Sequence, residues 1–168
     1  KPDGSAVIEC PYLIALVDHC EFDTIYHQHM CYFSVTALDH LLRRHGLYLN
    51  HVERVRIHGG SLRLFIEPFE NVDDSVKDLL ALEQRLGVSS FDYYRDFAAR
   101  IESIKTRLMT MLRDLKAEGK RIAAYGAAGK ATTLLAYFGI DRSLVDYVVD
   151  LSPYKHGLYM GSNHFEIK

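Results

Sequence analysis

The chain has 168 residues, 48% of them hydrophobic, which is enough for one ordinary globular domain or two small ones with a real core. Its 20 basic and 22 acidic side chains give a formal net charge of −2, which argues against a nucleic-acid partner and favours a small ligand. No apolar run approaches the roughly 20 residues that span a bilayer, and three cysteines without a C-x-x-C pair indicate a reducing, cytoplasmic compartment.

The first predicted elements are a strand and a helix. Residues 1–4 read Lys-Pro-Asp-Gly, which is turn chemistry that leads directly into an apolar run at 6–10. That run is typical of a buried strand in a parallel sheet, and its abrupt start looks like a cut through a larger domain. Ser34 then predicts the cap of a helix that ends at Gly46 and has apolar residues at helical spacing, namely Val35, Leu38, Leu41 and Leu42.

A β-hairpin is predicted next. Apolar residues return at 47–57 without helical spacing, and Gly59-Gly60 then separates them from a second run. In that run Leu62, Leu64 and Ile66 alternate with polar or aromatic residues, as in a half-buried strand. Pro68 suits the end of an edge strand, because proline cannot donate to a ladder.

Two helices are predicted after the hairpin. Asp74 or Ser75 can cap the first, which ends near Gly87, and Ser90 can cap the second. The apolar stripe of the second helix runs over 91–115 and stops before Gly119, a span of roughly 40 Å at 1.5 Å per residue. We expect this helix to connect two lobes.

The last fifty or so residues predict a compact βαβ unit, with a strand at 121–125, a helix at 130–138 and a strand at 145–150. Between the first strand and the helix, Gly126-Ala127-Ala128-Gly129-Lys130 brings backbone N–H groups and a lysine to a place where an anion could bind. The spacing of the glycines is not that of a Walker A loop, and the dinucleotide fingerprint is incomplete.

Two other interpretations of this motif stay open. Asp150 ends the next strand, close to the position of the ribose-binding acid in Rossmann units, so a nicotinamide cofactor is an alternative ligand. Alternatively, the glycines only allow tight packing of helix on strand, and Lys130 and Lys155 are solvated charges.

The densest polar cluster lies at residues 22–29, between the end of a strand and a helix cap, where open α/β sheets place their ligands. Histidine can take a proton near neutral pH, and tyrosine and glutamine can orient a substrate or stabilise an oxyanion. Together they suit deprotonation beside a carbonyl. Alternatively, these side chains only hydrogen-bond within a loop. Although His27 and His29 could also ligate a metal, no second ligand pair has zinc-site spacing, and we predict no metal site.

Residues 21–29 and 32–34 resemble the E-F-D-T-I-Y-H-E-H and Y-F-S block of S-adenosylmethionine-dependent sugar C-methyltransferases. The similarity extends to residues 1–4, to Glu9-x-Pro11-Tyr12, to residues 58–63 and to residues 126–130, so it covers nearly the whole chain. It implies an α/β fold, with residues 1–70 as the end of a Rossmann-like methyltransferase sheet with its hairpin. Residues 71–118 would be linking helices, and residues 119–168 a second Rossmann-like βαβ lobe.

The resemblance also implies a reaction. His29 would remove the proton beside the ketone of a nucleotide-linked deoxysugar, with Tyr26 and Gln28 beside it, and the enolate would take the methyl group of S-adenosylmethionine. The cofactor site would lie upstream of Lys1. The implied substrate contacts are Tyr12, His27, His58, Gly59, Gly126 and Lys130.

The chain departs from the family pattern at two places. Gln28 stands where glutamate is common, and residues 159–164 lack an expected proline-glycine turn. His58 to Gly60 can also be only a hairpin turn. A nucleotide- or NAD-binding module without methyltransferase activity and a non-catalytic interaction domain are the alternatives to the enzymatic interpretation.

Overall fold

The computed structural model describes residues 4–168, so the turn predicted at Lys1, Pro2 and Asp3 lies outside the described residues. The chain forms two compact units and has a mixed α/β architecture. Unit 1 contains the described residues up to Glu21 together with Cys31–Ala98, and unit 2 contains Phe22–Met30 and Ala99–Lys168. The predicted domain boundaries and the Rossmann-like character of both lobes stay predictions.

Unit 1 is built on a three-stranded antiparallel sheet in the order β1-β3-β2. The strands are β1 (Ala6–Pro11), β2 (Tyr48–Val55) and β3 (Ser61–Glu67). The hairpin of β2 and β3 is confirmed. The apolar side chains that alternate along β3 are buried, as in the predicted half-buried strand, namely Leu62, Leu64 and Ile66.

Two strand predictions were wrong. β1 is not buried in a parallel sheet, since it pairs antiparallel with β3 and residues 6–9 are exposed. An apolar run indicates a strand but carries no information on its direction relative to its neighbours. Here that direction depends on the pairing of β1 with β3, the second strand of the hairpin. Pro68 does not end an edge strand, because β3 is the central strand and stops at Glu67.

Three helices belong to unit 1, namely α1 (Leu13–Asp18), α2 (Val35–Arg44) and α3 (Asp74–Leu86). The predicted cap of α2 is confirmed, since Ser34 Oγ accepts the Ala37 N–H at 3.1 Å. The cap of α3 is Asp73 rather than its neighbours, because the Asp73 carboxylate accepts the Ser75 N–H at 2.9 Å. The helix ends at Gly87, as predicted, and this glycine has a left-handed conformation.

The long helix predicted from Ser90 is interrupted. Ser90 caps only a 3₁₀ turn at Phe91–Tyr94, and α4 then runs from Phe97 to Ala117. A 3₁₀ turn spaces apolar residues three apart, which the helical period also permits, so the pattern could not reveal the break. The 21 residues of α4 measure about 32 Å at 1.5 Å per residue, which is shorter than predicted.

Unit 2 contains the predicted βαβ unit. Its strands β4 (Ala123–Tyr125) and β5 (Tyr147–Val149) pair in parallel, and α5 (Gly129–Phe138) lies between them in the chain. The strands are shorter than predicted. The C-terminal segment returns beside β5, where Ile167 bridges Val148 in parallel.

Candidate active site

The polar block at 22–29 is attached to α5 by an aromatic anchor. Phe22 begins a 3₁₀ turn, Phe22–Thr24, and is buried. Its ring centroid lies 5.2 Å from that of Phe138 and 5.3 Å from that of Tyr137, both at the end of α5. Aromatic pairs at such distances stabilise beyond simple burial. The block therefore belongs to unit 2, whereas the sequence had placed it beside the strand that precedes it.

The three residues predicted to be catalytic form one cluster around Tyr26. The Tyr26 hydroxyl donates to Gln28 Oε1 at 3.1 Å, and the His29 ring meets the Tyr26 ring edge-on at a centroid distance of 5.1 Å. A turn fixes this arrangement, because the His29 N–H donates to the Tyr26 carbonyl at 2.9 Å. Tyr26 and His29 are half-buried, while Gln28 is exposed. The imidazole is thus held in place without being sealed in a core.

The neighbour His27 is exposed, and its ring centroid lies 5.7 Å from that of Tyr26. The side chain is therefore at the rim of the cluster. Its predicted substrate contact stays a prediction.

Tyr26 lies against the first residue of α5. A Cβ atom added to Gly129 would stand 3.3 Å from both the Cε2 and the hydroxyl oxygen of Tyr26, so only a glycine lets the ring approach this closely without displacement. The predicted catalytic block and the predicted anion-binding motif are therefore neighbours. Periodicity could not reveal this, because the two segments are about a hundred residues apart in the chain.

A cavity of about 300 Å³ opens at the start of α5. Its lining includes the predicted ligand residues Gly126 and Lys130 together with Tyr125 and Ala128. The first N–H groups of a helix have no acceptor within the helix, and Ala128, which precedes α5, has no side-chain oxygen to cap them. With the half-buried Lys130, this end of α5 suits an anionic group such as a phosphate.

Asp23, which was not among the predicted site residues, lines the same cavity. A carboxylate can accept hydrogen bonds from hydroxyl groups, such as those of a sugar. Tyr125, also missed, lines the cavity and is 72% exposed. Asp23 belongs to the recognisable block, so the signal was present, but its spatial neighbours were not predictable.

Tyr12 has a structural position in unit 1. It is 1% exposed, and its hydroxyl donates to Glu83 Oε1 at 2.9 Å. Burial, followed by the neighbouring Glu83 carboxylate, raises the pKa of Tyr12 far above its ordinary value. The same carboxylate accepts the N–H groups of Val35 and Thr36, each at 2.7 Å, and so caps α2. A substrate contact by Tyr12 stays a prediction and would require this nearly fully buried side chain to be uncovered.

The loop from His58 to Gly60 joins β2 to β3. His58 is exposed at φ +52°, and Gly59 follows at φ +84°. A Cβ atom on Gly59 would overlap the Glu21 carboxylate, and one on Gly60 would lie 2.6 Å from Ala15 Cβ. These glycines therefore permit close packing within unit 1. The predicted roles of His58 and Gly59 in substrate binding stay predictions.

Within residues 4–168 no group of three or more His, Cys, Asp or Glu side chains is arranged to hold a metal ion. None of the helices in this described part combines the length and the hydropathy that crossing a membrane requires. None of the three cysteines, Cys10, Cys20 and Cys31, forms a disulfide bond.

Comparison with known proteins gives the family. Residues 56–168 match the family described as the C-methyltransferase C-terminal domain. Over 99% of its length the chain is 34% identical to the C-methyltransferase NovU of Streptomyces niveus. The matched part is 40% of that protein, so the chain spans about two fifths of the length of this curated relative. The chain therefore belongs to the C-methyltransferase family and corresponds to the C-terminal portion of such an enzyme.

Proposed function

We propose that this chain is the C-terminal part of an S-adenosylmethionine-dependent enzyme that methylates a carbon of a nucleotide-linked keto-deoxysugar. The observation that carries the proposal is the position of the Tyr26, Gln28 and His29 cluster against Gly129 at the start of α5. A side chain that can accept a proton thereby lies beside a helix end that suits a phosphate. Membership of the C-methyltransferase family supports this combination.

His29 is the proposed base. A carbon nucleophile must be made at neutral pH, and an imidazole beside the substrate can remove the proton from the carbon next to the ketone. The contact with Tyr26 sets the position of the ring. Removal of this proton turns the ketone into an enolate, whose oxygen needs a hydrogen-bond donor.

Gln28 is the proposed donor to that oxygen. Because Gln28 Oε1 accepts the Tyr26 hydroxyl, the amide N–H₂ group points away from Tyr26 and can donate elsewhere. An ionised glutamate, which is common in the resembling family at this position, has no proton to donate. The substitution therefore changes the electrostatics of the site while it preserves the bond to Tyr26.

The start of α5 is the proposed site for the diphosphate of the substrate. Lys130 and the first N–H groups of the helix would bind its oxygens, and Gly126 would allow their close approach. Asp23, on the same cavity, would accept a sugar hydroxyl. This arrangement would hold the sugar near the cluster around Tyr26.

The charge of this cavity does not favour the methyl donor. S-adenosylmethionine carries a sulfonium cation, whereas Lys130 and the start of α5 favour an anion. Asp150, at the position that binds a ribose in Rossmann units, is engaged by Lys155 at 2.8 Å. We therefore propose no cofactor contact for residues 4–168 and expect weak or absent binding of S-adenosylmethionine by this chain alone. The proposed cofactor site lies in the part of the enzyme that this chain does not span, since the match covers 40% of the curated relative.

The proposal is tested in the full-length protein that carries this chain. Replacing His29 with alanine is expected to slow methyl transfer by about 10² to 10⁴ fold, the usual contribution of general acid–base catalysis, and to leave sugar-nucleotide binding nearly unchanged. His40→Ala, an exposed histidine on α2, is the matched control and should retain full activity. Unchanged turnover in His29→Ala would remove the assignment of the base.

A titration of the chain itself separates the alternatives. Calorimetry with thymidine diphosphate, S-adenosylmethionine, S-adenosylhomocysteine and NAD is expected to show binding of thymidine diphosphate alone. Binding of NAD in its place would favour the nucleotide-binding module. Binding of none of the four would favour an interaction domain.

A further inference from the structure

The loop between β4 and α5 is braced by an ion pair from the other end of the βαβ unit. Asp150 Oδ2 accepts the N–H of Ala127 at 2.8 Å and the ammonium group of Lys155 at 2.8 Å. Lys155 Nζ also donates to the carbonyl of Ala127 at 3.0 Å. One acidic and one basic side chain therefore hold both the N–H and the carbonyl of the residue in the middle of the loop.

The brace is itself well supported. Asp150 Oδ1 accepts the Ser152 N–H at 2.9 Å, and the carboxylate is only 11% exposed. The Lys155 ammonium, followed by the N–H groups of Ser152 and Ala127, lowers the pKa of Asp150 to about 2. The preceding residue of the loop is fixed as well, because the Gly126 N–H donates to the Val149 carbonyl at 2.7 Å. The loop is therefore tied to the end of β5 at two consecutive residues.

Asp150 stands where a dinucleotide-binding unit has its ribose-binding acid, so its bonds to the loop affect which ligand the unit can bind. In a dinucleotide-binding unit, the acid at the end of the second strand accepts hydrogen bonds from a ribose. Here both of its oxygens are engaged with protein groups, and the interpretation of Lys155 as a solvated charge was wrong. Lys130, in contrast, forms no ion pair with any residue that the structure describes, so its charge is available to a ligand at the cavity.

We propose that Asp150 and Lys155 are positioning residues that fix the loop from Gly126 to Ala128 in an anion-binding conformation and make the unit select a nucleoside diphosphate over an adenine dinucleotide. The inference deepens the proposed function, and the identity of the ligand rests on that function. The brace consists of protein groups alone and needs no ligand to form, so the cost of ordering the loop does not weaken the binding.

Charge and geometry at Lys155 can be tested separately. Lys155→Met keeps most of the length of the side chain and removes its charge, whereas Lys155→Arg keeps a donor for both Asp150 and the Ala127 carbonyl. We expect Lys155→Met to weaken thymidine diphosphate binding by the full chain at least about tenfold and Lys155→Arg to restore most of it. Lys120→Met, an exposed lysine of the same unit, is the control for lost charge and should bind like the parent chain. Equal affinity in Lys155→Met and the parent chain would overturn the inference.

A second measurement tests the brace without any ligand. Amide hydrogen exchange at Ala127 is expected to accelerate at least about tenfold in Asp150→Asn and Lys155→Met, with an unchanged rate in the core strand β3. Unchanged exchange at Ala127 in both variants would overturn the positioning role. If the parent chain binds no thymidine diphosphate while exchange at Ala127 responds as expected, the ligand of the proposed function is wrong and the positioning role holds.

Discussion

The molecule contains two loops in which glycine is needed for different reasons, one at Gly59 and Gly60 and the other at Gly126. At Gly59 and Gly60 in unit 1, the space that a side chain would take is filled by Glu21 and Ala15. At Gly126 in unit 2, no described atom outside the glycine and its two chain neighbours lies within 4 Å of the position of a Cβ atom. The first loop needs glycine for packing, whereas the second leaves a surface that faces a cavity. Similar motifs in one chain can therefore serve the fold in one place and a ligand in another.

The same contrast holds for two tyrosines of the recognisable motifs. The Tyr12 hydroxyl is bonded to the buried Glu83, while the Tyr26 hydroxyl is bonded to the exposed Gln28. Tyr12 and Glu83 thus belong to the core of unit 1, whereas the Tyr26 cluster of unit 2 remains accessible. Substitutions at Glu83 should therefore change stability, and substitutions in the Tyr26 cluster should mainly change binding.

The largest effect is expected from Glu83→Gln. In the parent chain one carboxylate oxygen accepts hydrogen bonds from Tyr12 and Val35, and the other accepts from Thr36. In the variant an N–H₂ group, which cannot accept a hydrogen bond, replaces one of these two oxygens. Mismatched buried donors should lower the free energy of unfolding by about 3 kcal/mol. Chemical denaturation checks this, with the exposed Glu118→Gln as the control. A loss of unfolding free energy no greater than that of the control would show that the hydrogen bonds from Tyr12, Val35 and Thr36 to Glu83 do not stabilise unit 1.

Gly59→Ala should have the next largest effect. Alanine is strained at φ +84°, and its Cβ would displace the Glu21 carboxylate, so we expect a loss of about 2 kcal/mol. Gly46→Ala isolates the backbone contribution, because Gly46 has φ +69° and open space around it, and it should cost about 1 kcal/mol. Equal losses in the two variants would mean that packing against Glu21 contributes nothing.

Gly126→Ala should resemble Gly46→Ala in stability. Both glycines have positive φ and open surroundings, so only the backbone cost of about 1 kcal/mol applies. Unlike Gly46→Ala, it should also weaken thymidine diphosphate binding, because the added methyl group stands at the cavity. A stability loss as large as that of Gly59→Ala would contradict the contrast between the two loops.

The smallest expected effect is on the stability of the parent chain and Asp150→Asn at acidic pH. The folded-state pKa of Asp150 is about 2, below its ordinary value, so its ionised form stabilises the protein above about pH 4. This contribution is lost as the pH falls from about 4 through 2. The stability difference between the parent chain and Asp150→Asn, measured by denaturation, should therefore narrow over this range. A constant difference would mean that the charge of Asp150 is not stabilised by Lys155.

Local chemistry predicted the elements whose signals are local. Ser34 and Gly87 mark helix ends through capping geometry, and the alternation around Leu64 marks a half-buried strand. The direction of β1 was not predictable, because it depends on pairing with the distant β3. The break before Phe97 was not predictable, because a 3₁₀ turn and a helix permit the same apolar spacing. Periodicity describes only one segment at a time.

The candidate site was predictable in its residues but not in its assembly. The block with Tyr26 and His29 and the motif with Lys130 were both singled out from sequence. Their contact through Gly129 and the use of Asp150 as a brace follow from tertiary packing alone. The burial of Glu83 had a sequence signal, because Glu83 follows Val76, Leu79 and Leu80 at helical spacing, but its partners Tyr12, Val35 and Thr36 are distant in the chain and were not predictable.

The most direct test concerns the proton that His29 is proposed to remove. The full-length protein, incubated in deuterium oxide with a nucleotide-linked keto-deoxysugar, should exchange the hydrogen on the carbon beside the ketone, as followed by NMR. We expect His29→Ala to lose this exchange while still binding the sugar nucleotide, and His40→Ala to exchange at the parent rate. Exchange at the parent rate in His29→Ala would show that His29 is not the base.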